Sequence, residues 1–317
     1  MKLSFQDLGQ GVTCIETHFE RTGLAGCYLI QQGQAAALID TGTAYTAPNI
    51  MELLELRGIR PEQVRYVIPT HVHLDHAGGS GQLMELLPEA SLVVHPKGVR
   101  HLTDPAKLTA GATAVYGEEQ FIKNFKELKP VAKERVIEAT DGLRIDLDGR
   151  SLVCLDSPGH ANHHNCIWDE TSHGFFTGDT FGIAYPELAT AQGPFMLLPS
   201  TPVQFDPDAW HQTLDKLMAC EPERMYLTHY CKVENPGTLV GALHEEIDAY
   251  VGIALSCDDG ERENGIRAGL EALYLERLRR HGSRLSESEI HRLLDMDLAL
   301  CAQGLEVWLQ RRENRAA

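Results

Sequence analysis

Pro69-Thr70-His71-Val72-His73-Leu74-Asp75-His76-Ala77-Gly78-Gly79 carries four metal-capable side chains at the spacing His-x-His-x-Asp-His. The run before it, Val64-Arg65-Tyr66-Val67-Ile68, is β-branched and aromatic and reads as a strand. Beyond the glycines, Gln82 to Leu87 reads as a short helix stopped by Pro88. The cluster therefore sits on a turn between strand and helix, where the chain can fold back on itself. If strand geometry persists into the turn, His71 and His73 share a side. Asp75 and His76 then face a second point nearby. Imidazole and carboxylate at this density suit zinc or iron better than calcium or magnesium, which prefer oxygen shells.

Working outward, other polar residues close apolar runs in the same way. Upstream, Ala35–Ile39 leads into Asp40, which reads as a turn residue or as a group that orients a metal-bound histidine. Downstream, His160 follows Ser157-Pro158-Gly159, Asp179 follows Phe176-Thr177-Gly178, and His229 follows Leu227-Thr228. Each alone is a turn residue first; their shared position at strand ends is the signal. Further strands are expected at 11–15, 26–30, 92–95, 136–137, 143–145 and 151–155, with a hairpin over 166–168 and 174–177. Asp141-Gly142 and Asp148-Gly149 are expected to supply turns between neighbouring strands. A helix is expected over Ala47–Arg57.

The whole chain narrows the classes. Its 317 residues, 43% hydrophobic, are ample for a large core with an extension. No signal-peptide core follows Met1 and no run is long enough to cross a bilayer, so a soluble cytoplasmic protein is expected. The eight cysteines are scattered without a C-x-x-C pair, which suggests buried reduced thiols. A net charge of −17 disfavours nucleic acid and anionic membranes as partners.

The charge is uneven. Residues 97–135, irregular and helical in pattern, hold eight Lys/Arg against five Asp/Glu, a local 8 − 5 = +3. This reads as a solvated helix face first, and otherwise as a receiver for an anionic part of a substrate. After residue 236 the pattern turns helical. Stripes run through Leu243, Ile247 and Tyr250, then Ile266, Leu270 and Leu273, then Ile290, Leu294, Leu298 and Cys301. Ser286-Glu287-Ser288-Glu289 offers a capping box for the last. The stripes are core faces first, with a homodimer contact as the minority reading.

The motif series Thr70 to Gly79, Ser157-Pro158-Gly159-His160, Phe176-Thr177-Gly178-Asp179-Thr180 and Leu227-Thr228-His229 resembles that of the metallo-β-lactamase-fold hydrolases, closest to their glyoxalase-II-like and lactonase-like branches. The resemblance covers roughly residues 10–235. It implies an αββα sandwich of two mixed β-sheets flanked by helices, with a helical C-terminal extension. Residues 1–236 would be the catalytic domain, with 97–135 a helical insertion or cap, and 237–317 the extension.

Carried over by position, the resemblance implies that His71, His73 and His160 bind one metal, that Asp75, His76 and His229 bind a second, and that Asp179 bridges them. Asp40 and His164 match outer positions that orient the ligands. Two divalent ions, zinc ahead of iron or manganese, would hold a shared hydroxide as nucleophile, with Asp75 and Asp179 as the catalytic residues. The expected activity is hydrolysis of an ester, thioester or lactone bond in a small molecule.

Departures narrow the choice. True β-lactamases lack an aspartate like Asp179, and flavodiiron reductases place a glutamate where His73 stands. Residues 241–317 carry ten Arg against fifteen Asp/Glu, a poor clamp for glutathione. The rival from another class is an iron-dependent oxidoreductase resembling the persulfide dioxygenases. Tyr116, Tyr185 and Phe195 are candidate pocket walls.

Overall fold

The computed structural model describes residues 2–200, 203–257 and 262–316, apart from the side chains of 115, 116 and 316. It divides into two compact units. One holds Met1–Asp156, His163–Gly178 and Pro222–Glu234; the other holds Ser157–Asn162, Asp179–Glu221 and Asn235–Ala317. The second unit thus takes in the C-terminal helices and also earlier segments.

Both sheets belong to the first unit. One is seven-stranded in chain order: β1 (Phe5–Gly9), β2 (Val12–Glu16), β3 (Gly26–Gln32), β4 (Ala35–Ile39), β5 (Val64–Ile68), β6 (Ser91–Val94) and β7 (Val136–Glu138). Its first four strands pair antiparallel, and β4 to β7 run parallel. The other is six-stranded, from β8 (Leu143–Leu147), β9 (Arg150–Asp156), β10 (Asn165–Asp169) and β11 (Gly174–Gly178) to β12 (Arg224–Leu227) and β13 (Cys231–Glu234). Only β11 and β12 pair in parallel there. Both sheets are mixed, as expected.

Alternation along β3 shows how the layers form. Tyr28 and Ile30 join Ile39 and Val93 of the first sheet and Ile145, Leu152, Cys154, Ile167 and Phe176 of the second in one buried cluster. Cys27 and Leu29 point the other way, onto Ile50, Leu53 and Leu54 of α1 (Ala47–Leu56) and Leu83 and Met84 of α3 (Ser80–Leu86). A strand buried on both faces needs such a continuous apolar run. The intervening α2 (Leu74–Ala77) lies within the histidine motif.

The Asp148-Gly149 turn has positive φ at both residues, 53° and 85°, the two-residue geometry that joins Leu147 to Arg150 in a tight hairpin. Asp141-Gly142 behaves differently from the expectation. It links no hairpin, because β7 lies in the first sheet and β8 in the second. Asp141 Oδ1 instead accepts a hydrogen bond from Asp156 N at 2.9 Å, seating the crossover beside β9. The 97–135 segment folds as α4 (Val99–Thr103), α5 (Ala106–Tyr116) and α6 (Glu118–Phe125).

The second unit is helical: α7 (Pro207–Met218), α8 (Val240–Leu255), α9 (Arg262–Arg280) and α10 (Glu287–Ala316). Leu243, Ile247 and Tyr250, then Ile266, Leu270 and Leu278, then Leu294, Leu298 and Cys301 are buried. On α9 it is Tyr274 that turns inward where the stripe suggested Leu273, because its hydroxyl bonds the buried Glu246 carboxylate. Glu246 also receives Leu198 N at 2.9 Å and Arg277, so the buried charge is paired and bonded. The capping box forms: Glu289 N donates to Ser286 Oγ at 3.3 Å, and Ser286 N to Glu289 Oε2 at 2.8 Å.

None of the eight cysteines forms a disulfide, and six are buried. Burial pushes the Cys154 and Cys301 thiols up to about 12. Among the described residues no helix is long and apolar enough to cross a membrane.

Candidate metal centre

A buried carboxylate organises the first unit's cluster. Asp40 follows β4 with a left-handed φ of 56°. Its Oδ1 accepts from Thr70 N at 2.7 Å and Thr70 Oγ1 at 2.9 Å. Its Oδ2 accepts from Thr228 Oγ1 at 2.7 Å and faces His76 Nδ1 at 2.8 Å. One side chain thereby ties together the end of β4, the turn after β5 and the turn after β12. A charge without solvent exposure is tolerable because donors surround it.

Those bonds fix protons. An ionised Asp40 only accepts, so His76 carries its hydrogen on Nδ1. His229 Nδ1 faces the carbonyl of Leu24 at 2.8 Å, and a carbonyl also only accepts. Both neutral rings then present an Nε2 lone pair, and these two atoms lie 3.3 Å apart. Asp75 Oδ2 stands 3.2 Å from His229 Nε2 and 3.6 Å from His76 Nε2. Lone pairs and a carboxylate converging on one point repel unless a positive charge lies among them. The three residues offer ligand atoms within 4.8 Å of one another, a donor set that fits a divalent cation of the imidazole-binding kind. Asp75 is 23% exposed while the His76 side chain is fully buried, so this group opens to solvent on the aspartate side. Glu20 adds a nearby carboxyl; partial burial first and the Asp75 charge second raise it above its ordinary value.

His71 stands beside this group. The single Thr70 hydroxyl hydrogen serves Asp40, so Thr70 Oγ1 accepts from His71 Nδ1 at 3.2 Å, leaving His71 Nε2 as its ligand atom. The His71 and His73 rings meet edge-on with centroids 4.3 Å apart, and His164 stacks on His71 at 4.8 Å. Gly178 keeps this region open. A β-carbon there would lie 2.5 Å from Thr70 Oγ1 and 2.6 Å from His164 Nε2, at a φ of 49°.

The second unit holds His160 and Asp179. His160 Nδ1 donates to the Pro199 carbonyl at 2.6 Å, and its Nε2 lies 3.3 Å from Asp179 Oδ2. Trp210 meets the His160 ring edge-on at 5.9 Å. Gly159, with φ 136°, has Trp210 atoms within 2.6 Å of where a β-carbon would sit, so no side chain fits.

Thr70, Thr228 and the Leu24 and Pro199 carbonyls were not singled out in the sequence, although Thr-His occurs at both Thr70-His71 and Thr228-His229. Tyr185 and Phe195 are no pocket walls. They are 2% and 4% exposed, with Tyr185 OH on Asp297 at 3.0 Å and Phe195 against Tyr274 and His281, because the second unit needs them in its own core. The Tyr116 side chain lies outside the described residues.

Comparison with known proteins bears on the whole arrangement. The family model described as "Metallo-beta-lactamase superfamily" matches residues 23–229. The metallo-beta-lactamase fold-containing protein ST1585 of Sulfurisphaera tokodaii is 23% identical over 209 residues, 65% of this chain and 72% of that protein. A protein of Pseudocercospora fijiensis named atrochrysone carboxyl ACP thioesterase is 28% identical over 154 residues, 48% of this chain. The chain spans only 35% of that fungal protein's length and 59% of a similar nematode protein's. The solved structure of the metallo-beta-lactamase family protein TTHA1429 from Thermus thermophilus is similar in fold, with a TM-score of 0.68 at 19% identity, covering 97% of this chain and 95% of that one. With two mixed sheets, His/Asp metal-binding motifs and a family match over most of its length, this chain belongs to the metallo-beta-lactamase superfamily.

Proposed function

We propose that the chain is a two-metal hydrolase acting on an ester, thioester or lactone bond of a small molecule. The observation that carries this reading is the convergence of Asp75, His76 and His229, with both imidazoles held in the ligating tautomer by Asp40 and the Leu24 carbonyl. In this reading Asp75, His76 and His229 hold one ion, and His71 and His73 supply imidazoles to the other. Zinc is the first expectation, ahead of iron and manganese. When bound, the ions would supply an acidified water as nucleophile and polarise the substrate carbonyl.

The chain's own residues set up that chemistry. Asp40 accepts the His76 Nδ1 hydrogen and so raises the basicity of Nε2. The Leu24 carbonyl does the same for His229. Asp75, open on its solvent side, leaves room for substrate to approach. The ACP thioesterase name of the fungal relative supports an acyl bond over a phosphodiester. In the 97–135 segment Arg135 is engaged with the carbonyls of Met84, Leu87 and Ala90, and Lys129 with Glu85. The remaining basic residues of the segment would receive an anionic group on the substrate.

The test is metal content per chain on untagged protein, with an ester, thioester, lactone and phosphodiester panel on the same sample. About two metals and chelator-sensitive acyl hydrolysis support the proposal. One iron per chain, a silent panel and oxygen uptake overturn it in favour of an iron-dependent oxidoreductase.

A further inference from the structure

The helices of the second unit carry a histidine–aspartate constellation that the hydrolase reading does not use. Both α7 and α8 hold the spacing His-x-x-x-Asp, as His211 with Asp215 and His244 with Asp248. Residues four apart share a helix face. The pairs cross between helices: His211 Nε2 lies 3.3 Å from Asp248 Oδ1, and His244 Nε2 lies 3.4 Å from Asp215 Oδ1. The two rings are parallel within 2°, with centroids 4.9 Å apart, and their Nδ1 atoms approach to 2.6 Å.

Counting hydrogens decides what this geometry needs. Each Nε2 stands at ion-pair distance from a carboxylate, which favours the hydrogen on Nε2, and a neutral ring of that tautomer presents a lone pair on Nδ1. Two lone pairs at 2.6 Å repel. In that tautomer a positive centre between them, a shared proton or a metal ion, removes the repulsion. An imidazole whose far N–H rests on a carboxylate is the arrangement that orients a metal ligand and makes it more basic. Here both rings have a carboxylate oxygen near the far nitrogen, and the two remaining nitrogens approach one another.

We propose that His211 and His244 bind a divalent transition ion through their Nδ1 atoms, with Asp215 and Asp248 holding the rings and water filling the other positions. Imidazole nitrogen favours zinc, nickel and copper(II) over magnesium or calcium. Two nitrogens on a tetrahedral zinc stand about 3.3 Å apart, so loading opens the pair by well under an ångström. The imidazole side chains are 28% and 27% exposed and the aspartates 77% and 78%, so an ion reaches them from solvent and the rings are free to adjust. The ion takes the place of the shared proton, so binding releases a proton. It also cross-links α7 to α8. This site stands independently of the hydrolase reading.

The experiment is zinc titration of the protein as purified, with its metal content counted first, beside the single variants His211→Gln and His244→Gln. Wild type is expected to take up one more zinc than either variant, and to gain a zinc-dependent rise in Tm that both variants lack. All three should hydrolyse a substrate equally without added zinc. Equal uptake and equal Tm response in all three would overturn the site and leave a shared proton as the occupant. Should a variant fail to fold, histidine 15N spectra of wild type decide. Zinc must shift the Nδ1 resonances of His211 and His244, and unchanged resonances count against the proposal.

Discussion

In the first unit His76 and His229 bring Nε2 atoms to 3.3 Å, each with its other nitrogen on a buried acceptor. In the second, His211 and His244 bring Nδ1 atoms to 2.6 Å, each with its other nitrogen on an exposed aspartate. The local chemistry is nearly the same, but the surroundings are not. Asp40 is fully buried and gathers three donors besides His76, so it cannot turn to water when strained. Asp248 and Asp215 are screened by solvent and held by one contact each, where an ion pair is worth about 0–1 kcal/mol. The buried arrangement is held rigid by its partners; the exposed one can adjust.

Four substitutions probe that contrast. His76→Ala should have the largest effect, removing a ligand and an Asp40 partner together. Loss of turnover beyond about a hundredfold is expected, since even outer partners are worth 10–100-fold. Wild-type turnover in the folded variant would refute the hydrolase site. Asp40→Asn comes next. Asparagine tolerates the left-handed φ of 56°, so the backbone stays, but one acceptor oxygen becomes an amide. Metal affinity by chelator competition should fall about 10–100-fold. Asp248→Asn, the matched change at the exposed pair, should alter Tm by the equivalent of less than about 1 kcal/mol and leave hydrolysis untouched.

His95 is a third case, lying between these two in burial of its partner. Its Nε2 is 3.1 Å from an Asp156 side chain that is 41% exposed. Burial pushes the imidazole below 6.5, and Asp156 opposes the shift without reversing it. Between the folded value and 6.5, the unfolded chain therefore holds a proton that the folded one does not. Its contribution to stability is whole above 6.5 and is lost as pH falls through the folded value. Tm against pH should be flatter in His95→Asn over that window, the smallest of the four effects.

Legibility in the sequence followed the range of the interactions. The β5–turn–helix unit, the Asp148-Gly149 hairpin and the Ser286 capping box were readable because their causes lie within a few residues. β1 escaped because four of its five residues are exposed and give no alternating signal. α7 escaped although Asp206-Pro207 is a good start, with Asp206 capping Ala209 N at 3.1 Å. The ligand residues could be named from motif order, but their tautomers could not. Those depend on Thr70, Thr228 and Leu24, which lie up to 205 residues from the groups they serve. Glu246 was not singled out in the sequence, because its distant partners Leu198 and Arg277 are what make it a buried hub.

Eight thiols outside any disulfide give each unit its own clock. Cys14, Cys27, Cys154, Cys166 and Cys231 are buried in the first unit, and Cys301 in the second. Only the partly exposed Cys220 and Cys257, both in the second unit, stand near solvent in the folded chain. A thiol-reactive dye added to native protein would meet those two first. Each later adduct, located by mass, would timestamp the opening of the unit that hid it, so one reagent could time the two units separately without an added label.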